Sequence, residues 1–283
     1  MGQTTQHSQQ LEEAVRYIQS KLNGLTPAIG MVLGSGLGDL AHEVEQAIAI
    51  PYSDIPHFPV STVEGHAGQF VVGKLEGKAV IVMQGRFHYY EGYPFQKVVF
   101  PIYVMKLLGV TTIVITNAAG GMNRAFRPGD LMLISDHINL TGDHPLIGRN
   151  DPKLGVRFPD MSEAYDREYR ALAHRLSSQI RGDDGDQLEL QEGVYCGISG
   201  PAYMTPAELK MLVIVGGDAV GMSTVGEVIV ARHAGLRVLG ISCITDMAIG
   251  DELEPLTHEQ VMAVANKTKP KFIALVKAFV REV

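Results

Sequence analysis

Residues 28–38 read AIGMVLGSGLG, an apolar run that ends in closely spaced glycines. The run predicts a buried strand over 28–33, and the glycines predict a tight loop over 34–38. The same order returns downstream, where the apolar run 110–116 leads into the small residues 117–121. We therefore expect two buried strands that each end in a small-residue loop.

Strands and helices alternate along the remaining chain. The β-rich runs 70–75 and 79–84 are joined across Glu76-Gly77-Lys78, which predicts a hairpin. The further elements that we expect are helices over 95–108 and 166–180 and strands over 193–199 and 237–244. This alternation indicates an α/β fold, a single domain over 28–283 with a central mixed β-sheet flanked by helices. Residues 1–27 are expected to form a polar segment and a helix that precede it.

Three helix starts have the pattern of a reciprocal cap. In such a cap a threonine side chain and a side chain three residues later bond each other's backbone N–H groups. The pairs are Thr205 with Glu208, Thr224 with Glu227, and Thr257 with Gln260. The sequence therefore predicts a helix that begins at each of these threonines.

Charge and composition narrow the class of protein. Among 283 residues, 31 are acidic and 24 basic, and no run of lysine or arginine offers a surface for nucleic acid or an anionic membrane. Residues 1–10 lack the order of a signal peptide, and no stretch approaches the ~18 apolar residues of a membrane span. Cys196 and Cys243 lie in apolar segments. We expect a cytoplasmic protein with two buried thiols.

The glycine loop at 34–38 is a candidate anion site. It reads G-x-G-x-G, with Asp39 where a dinucleotide-binding fingerprint would have its last glycine. Its closely spaced backbone N–H groups and the Ser35 hydroxyl suit a small tetrahedral anion. A bare turn without a ligand remains an equally open interpretation.

The densest group of chemically active side chains is RFHYYEGY at 86–93. Arg86 offers a planar fork for phosphate, and His88 can donate from a ring nitrogen if Glu91 steadies it. An ordinary surface turn is the alternative. His66 lies between glycines and on its own would be read as a loop residue. The ten histidines form no metal-binding motif, so we expect no metal.

Six ordered blocks of sequence resemble one enzyme family. They are GSGLG at 34–38, GHAG at 65–68, GRFHYYEGY at 85–93, TNAAGG at 116–121, RFPDMSEAYD at 157–166 and GMSTVGEVIVARHAGLRV at 221–238. Together they are similar to the trimeric class of purine nucleoside phosphorylases over residues 28–280. The resemblance implies phosphorolysis of purine ribo- and deoxyribonucleosides to free base and ribose 1-phosphate. It further implies inorganic phosphate as cosubstrate, no cofactor, and a homotrimer.

The resemblance also implies which residues contact each part of the substrates. The phosphate group is Ser35, His66, Arg86, His88, the Ala118 backbone and Ser223. The ribose group is Tyr90, Met222, His258 and, from a neighbouring subunit, Phe158. The base group is Tyr203, Met204, Thr245 and Asp246. Arg86 and His88 would position phosphate for attack, and Asp246 would stabilise or protonate N7 of the leaving purine.

The departures from the family pattern fall mainly on base recognition. Residues 200–205 correspond to the family's G-P-S-[YF]-E-T and have Met204 in place of the glutamate. Residues 244–246 correspond to its I-T-N and have Asp246 in place of the asparagine. Gly226 replaces a usual proline, and 249–252 is unlike the usual small-residue segment. These changes favour 6-aminopurines such as adenosine.

Several alternatives stay open at this point. Asp246 also resembles the aspartate of 5′-methylthioadenosine phosphorylases, although the polar His258 suits a hydroxyl better than a methylthio group. Specificity for 6-oxopurines, such as inosine and guanosine, could be unchanged if both substitutions are tolerated drift. A non-catalytic nucleoside-binding protein is the alternative from another class, and a requirement for phosphate would distinguish it from an enzyme.

Overall fold

The alternating apolar residues of the strands are buried in one nine-stranded mixed sheet. The computed structural model describes residues 2–60, 67–182 and 185–283. Its strands are β1 Ile29–Leu33, β2 Glu45–Pro51, β3 Gln69–Leu75, β4 Lys78–Gln84, β5 Thr112–Gly121, β6 Leu131–Leu140, β7 Leu190–Ile198, β8 Ala219–Gly221 and β9 Arg237–Met247. The expected α/β fold with a central mixed sheet is confirmed.

Helices cover both faces of the sheet. They are α1 Gly2–Lys21, α2 Phe95–Val98, α3 Phe100–Leu107, α4 Arg167–Ser177, α5 Pro206–Ile214, α6 Val225–His233 and α7 His258–Glu282. Neighbouring residues of β5 belong to different hydrophobic clusters: Ile113 is in the one that includes residues of α1, α3 and α6, and Val114 is in the one that includes residues of α4 and α7. Within the described ranges, no helix has both the length and the apolar composition to cross a membrane.

The strand pairings bring the ends of several strands to one edge. β1 lies between β4 and β5 and is parallel to both, and β5 is parallel to β9 along its whole length. β5 also pairs with β8 at Gly120 and Gly121, so that β5, β9, β6, β7 and β8 close into a ring. In α/β sheets ligands bind beyond the carboxyl ends of parallel strands, and here the ends of β4, β1, β5 and β9 meet.

Several sequence predictions are confirmed, and others are wrong. β3 and β4 form the expected hairpin, and Thr205 and Thr257 cap α5 and α7 reciprocally. The small residues at 117–121 are not a loop, because β9 pairs with them and extends β5 to Gly121. The helix expected over 95–108 is interrupted at Val99, because α3 begins anew with Pro101, which lacks an N–H, in its first turn.

Two positions of the loop at 34–38 require glycine, because atoms of other elements approach the backbone closely there. A Cβ on Gly34 would lie 2.6 Å from the Asn117 Cα and 2.9 Å from the Thr116 carbonyl oxygen, so the loop abuts the β5 backbone. Gly36 has a φ of +76°, and a Cβ there would lie 2.4 Å from the Cβ of Ala265 in α7. The loop is thus fixed between β5 and the last helix.

We expect Gly34→Ala to destabilise the fold, because the added methyl group meets backbone atoms that cannot rotate away. The expected loss is about 1–3 kcal/mol in the free energy of unfolding, measured by urea denaturation. Gly38→Ala is the matched control from the same loop, since a Cβ there would meet only Gln84 Cγ, at an ordinary contact distance of 3.8 Å. Equal stability of the two variants would contradict this account of the loop.

Candidate active site

A cavity opens at the carboxyl ends of β1, β4, β5 and β9. Its volume of about 700 Å³ lies within the range of small-molecule sites. It brings together nearly all of the side chains expected at a site. From the phosphate group it is lined by Ser35, Arg86, His88, Ala118 and Ser223. From the ribose group it is lined by Tyr90, Met222 and His258, and from the base group by Tyr203, Met204, Thr245 and Asp246.

Two expected site residues are not among those lining the cavity. His66 lies outside the described residues. Phe158 is not part of the cavity wall of its own chain, and 87% of its surface is exposed. Its expected place in a neighbouring subunit's site therefore stays a prediction.

Arg86 is the most deeply buried charge of the site. Its side chain is 1% exposed, and its Nε and Nη2 atoms donate to the two carboxylate oxygens of Glu227 at 3.1 and 2.7 Å. Nη1 donates to the Thr116 carbonyl oxygen at 2.5 Å. A bidentate ion pair of this kind keeps the guanidinium in one orientation. Glu227 and Thr116 thus fix Arg86 in the cavity wall.

His88 is oriented by Glu91, as the sequence suggested. The Glu91 Oε1 atom accepts from the His88 backbone N–H at 2.7 Å and lies 3.3 Å from the ring Nδ1. The imidazole stacks on the Tyr90 ring, with centroids 4.7 Å apart. Burial raises the pKa of Tyr90 to about 12, so its hydroxyl is a neutral hydrogen-bonding group at physiological pH.

Ser223 is presented by a strained turn. The Ser223 carbonyl oxygen accepts from the Val225 N–H at 2.7 Å, and Thr224 between them has φ 72° and ψ −53°. These angles define a γ-turn that is rare for a non-glycine residue and costs about 1–3 kcal/mol. Strain of this kind is concentrated at functional sites.

The reciprocal cap expected between Thr224 and Glu227 is wrong. The Thr224 side chain makes no capping bond to the helix. Its Oγ1 instead accepts from Asn117 Nδ2 at 2.9 Å, and Glu227 is engaged by Arg86. Both side chains that a cap would use are thus bonded instead to residues that line the cavity.

A carboxyl group also lines the cavity, near the end of β9. Asp246, near the end of β9, is half-buried, and burial raises its pKa although the hydrogen bond from Thr245 lowers it. The Thr245 hydroxyl donates to Asp246 Oδ1 at 2.9 Å. Tyr203 is close enough that Asp246 contributes to raising the pKa of its phenol, after burial. Met204 adds an apolar wall and packs against a small cluster that includes Leu209 and Ala248.

Sequence reasoning missed some residues of the site. Asn117 and Glu227 belong to blocks that were singled out, but their roles as partners of Thr224 and Arg86 depend on contacts between distant parts of the chain. Glu252 and Glu254 also line the cavity, from the segment between β9 and α7. No group of three or more potential metal ligands occurs among the described residues.

Two kinds of chemistry lie at different points along β5, because Arg86 contacts Thr116 whereas Asp246 pairs with Gly120, four residues further on. Arg86, His88 and the hydroxyls of Ser35 and Ser223 line the cavity and suit an anion. The Asp246 carboxyl and the apolar Met204 line the part that suits a flat polar ring. The cavity therefore offers suitable side chains both for an anion and for a ligand with a flat polar ring.

Comparison with known proteins gives one consistent result. Residues 28–281 match the model of the phosphorylase superfamily. Purine nucleoside phosphorylase 1 of Geobacillus stearothermophilus is 61% identical over 96% of both chains. Two solved structures of Schistosoma mansoni purine nucleoside phosphorylase, with inosine and with adenosine, are 40% and 41% identical, with TM-scores of 0.90 and 0.89. The first covers 97% of this chain and the second 96%, and this chain covers 96% of each.

These relatives are enzymes, and the match extends over nearly the whole chain rather than over one motif. The matched range contains all the cavity-lining residues described above. The chain therefore belongs to the phosphorylase superfamily, among its purine nucleoside phosphorylases.

Proposed function

We propose that this enzyme cleaves purine nucleosides with inorganic phosphate and favours 6-aminopurines such as adenosine. The observation that carries the proposal is that one cavity is lined both by Arg86 and His88, which suit an anion, and by Asp246, which suits the polar edge of a purine. Tyr90, Met222 and His258 line the cavity as well and would contact the ribose. No cofactor is needed for this reaction.

The steps of the reaction follow from the side chains proposed to bind phosphate and those proposed to bind the base. Arg86, His88, Ser35 and Ser223 would hold phosphate so that one oxygen attacks C1′ of the ribose, and the bond from C1′ to N9 breaks with its electrons passing to the purine. The sugar becomes cationic in the transition state, and the bound phosphate stabilises it. Asp246 would receive the departing base, and its raised pKa favours the protonated form that can donate to N7.

The base preference depends on hydrogen-bond complementarity. A protonated Asp246 has one donor and one acceptor, which match N7 and the amino group at C6 of adenine. A 6-oxopurine presents acceptors at both positions, so the carbonyl oxygen of the acid would face another acceptor. Met204 offers no acceptor for the N1–H of a 6-oxopurine. The S. mansoni relative has been solved with adenosine as well as inosine, which supports a cavity of this family that admits both base types.

A methylthioadenosine phosphorylase is the second candidate, because Asp246 would serve an adenine base in either enzyme. His258 lines the cavity where α7 begins and is a polar partner for a 5′-hydroxyl. We therefore propose adenosine rather than methylthioadenosine as the preferred substrate. His258→Ala should reduce turnover of adenosine more than turnover of methylthioadenosine if this ranking is right.

The first functional prediction concerns Arg86. Base release should require phosphate and yield ribose 1-phosphate, and Arg86→Ala should lower kcat/KM on the order of 100-fold, since it removes a preorganised charged donor. The assay follows free base and sugar product with and without phosphate.

Because Arg86→Ala leaves Glu227 buried without its partner, Arg86→Lys is the companion variant, which keeps the charge and loses the fork. Arg281→Ala, which breaks an exposed pair with Glu76, is the control and should keep full activity. Free ribose as the main product, or an Arg86→Ala variant within a few fold of the parent, would refute the assigned role.

The second prediction concerns Asp246 and base choice. Asp246→Asn should lower the ratio of adenosine to inosine kcat/KM by roughly 10-fold or more, because an amide cannot pass a proton to N7 and its N–H groups can donate to the C6 oxygen of a 6-oxopurine; sites built on hydrogen bonds can discriminate by up to ~10⁴-fold. Adding Met204→Glu should restore 6-oxopurine turnover further, without strict additivity because both residues face one base.

Asp251→Asn is the matched control for this measurement. It removes a carboxylate from the adjacent segment, where Asp251 is paired with Lys210 on the surface, and the ratio should not change. If the parent enzyme cleaves inosine and guanosine far faster than adenosine, the base argument is wrong.

The third prediction concerns assembly. Phe158 is 87% exposed, and Ile147 and Val156 nearby in the chain are 66% and 64% exposed. Exposed apolar side chains in such a group are typical of an interface. We expect a homotrimer, with a mass by light scattering of about three times 30.7 kDa, in which Phe158 closes a neighbour's ribose site.

Phe158→Ala should then raise the KM for nucleoside by roughly 10-fold and leave the KM for phosphate nearly unchanged. Ile214→Ala is the control, because Ile214 is also exposed (83%) but lies at the end of α5. A fully active monomer would remove Phe158 from the site.

A further inference from the structure

A buried tyrosine is hydrogen-bonded to the turn that carries Ser223. Tyr195 in β7 is fully buried, and its hydroxyl oxygen accepts from the Ser223 backbone N–H at 3.3 Å. The hydroxyl sits tightly against β8, since a Cβ on Gly221 would lie 2.3 Å from it. Tyr195 does not line the cavity, so any effect on a ligand must pass through the turn.

The contacts around this hydroxyl form a short network. Ser223 Oγ and Thr224 Oγ1 lie 3.1 Å apart, and Asn117 donates to Thr224 Oγ1 from the side of β5. Burial raises the pKa of Tyr195, whereas its hydrogen bonds with Ser223 and Thr224 lower it. The phenol therefore keeps its proton at physiological pH and remains both a donor and an acceptor for the turn.

A strained turn persists only where its surroundings determine it. Here the φ of 72° at Thr224 is fixed by Tyr195 beneath the Ser223 backbone and by Asn117 beside the Thr224 side chain. If the hydroxyl of Tyr195 were absent, the Ser223 N–H would lose its partner, and the turn could relax toward ordinary backbone angles. That relaxation would rotate the Ser223 hydroxyl away from the anion wall.

We propose that Tyr195 is a positioning residue for phosphate, which acts by holding the Ser223–Thr224–Val225 turn in its strained form. The inference rests on the proposed phosphate role of Ser223 and extends it to a residue that touches no substrate. It assigns to the Tyr195 hydroxyl a function that the packing of its ring does not provide.

Tyr195→Phe separates the hydroxyl from the ring. We expect the KM for phosphate to rise roughly 3- to 10-fold, which corresponds to the loss of one hydrogen bond. The KM for nucleoside and the Tm should stay close to those of the parent enzyme, because the ring still fills its place. A merely structural role would instead lower the Tm and disturb both substrates alike.

Tyr169→Phe is the matched control. Tyr169 is also a buried tyrosine with one hydroxyl contact, to Thr112 Oγ1 at 2.7 Å, but it lies at the opposite end of β5 from the cavity. Its KM for phosphate should not change.

Ser223→Ala distinguishes the inference from the function on which it rests. If Ser223→Ala leaves the KM for phosphate unchanged, the proposed role of Ser223 is wrong and the inference falls with it. If Ser223→Ala raises that KM while Tyr195→Phe does not, only the positioning role of Tyr195 is overturned. Parallel rises in both variants, with Tyr169→Phe unchanged, are the expected result.

Discussion

The ion pair between Arg86 and Glu227 is the constraint on which the site depends. A guanidinium that is 1% exposed has lost nearly all its hydration, which is costly unless a carboxylate and further acceptors replace the water. Glu227 supplies both oxygens, and the Thr116 carbonyl supplies a third acceptor. The charge can remain buried only while the end of β4, the strand β5 and the start of α6 keep their relative positions.

The same ion pair explains how α6 begins. Because Glu227 is engaged by Arg86, it cannot return to cap the helix, and Thr224 is drawn toward Asn117 instead. The chain therefore enters the helix through a γ-turn rather than through a reciprocal cap. Hydrogen bonds with Asn117 and Tyr195 offset the backbone strain at Thr224, so the free-energy cost of this turn is linked to the geometry of the cavity wall.

Local patterns in the sequence predicted the parts of the fold that depend on local interactions. The hairpin around Glu76 and the caps at Thr205 and Thr257 are determined within a few residues, and all three are present. The extension of β5 to Gly121 was not predictable in this way, because its partner β9 lies more than a hundred residues later in the chain.

The candidate site was also predictable from the sequence only in part. Nearly all of the site residues that the resemblance to a known family implied do line the cavity. It did not reveal that Glu227 holds Arg86 or that Tyr195 supports Ser223, since these pairs are 141 and 28 residues apart. The Thr224 cap failed for a related reason: a correct local pattern was overridden by a buried charge from a distant strand.

The position of α7 has a consequence for the order in which the enzyme is completed during synthesis. His258 at its first turn lines the cavity, Ala265 packs against Gly36 in the first loop, and Phe272 and Phe279 are buried against the sheet. The ribosome synthesises this helix after the loop that it secures. A nascent chain can build most of the sheet early, but its loop at 34–38 stays unsupported until α7 has been synthesised. The wall of the cavity is therefore completed only after α7 has left the ribosome.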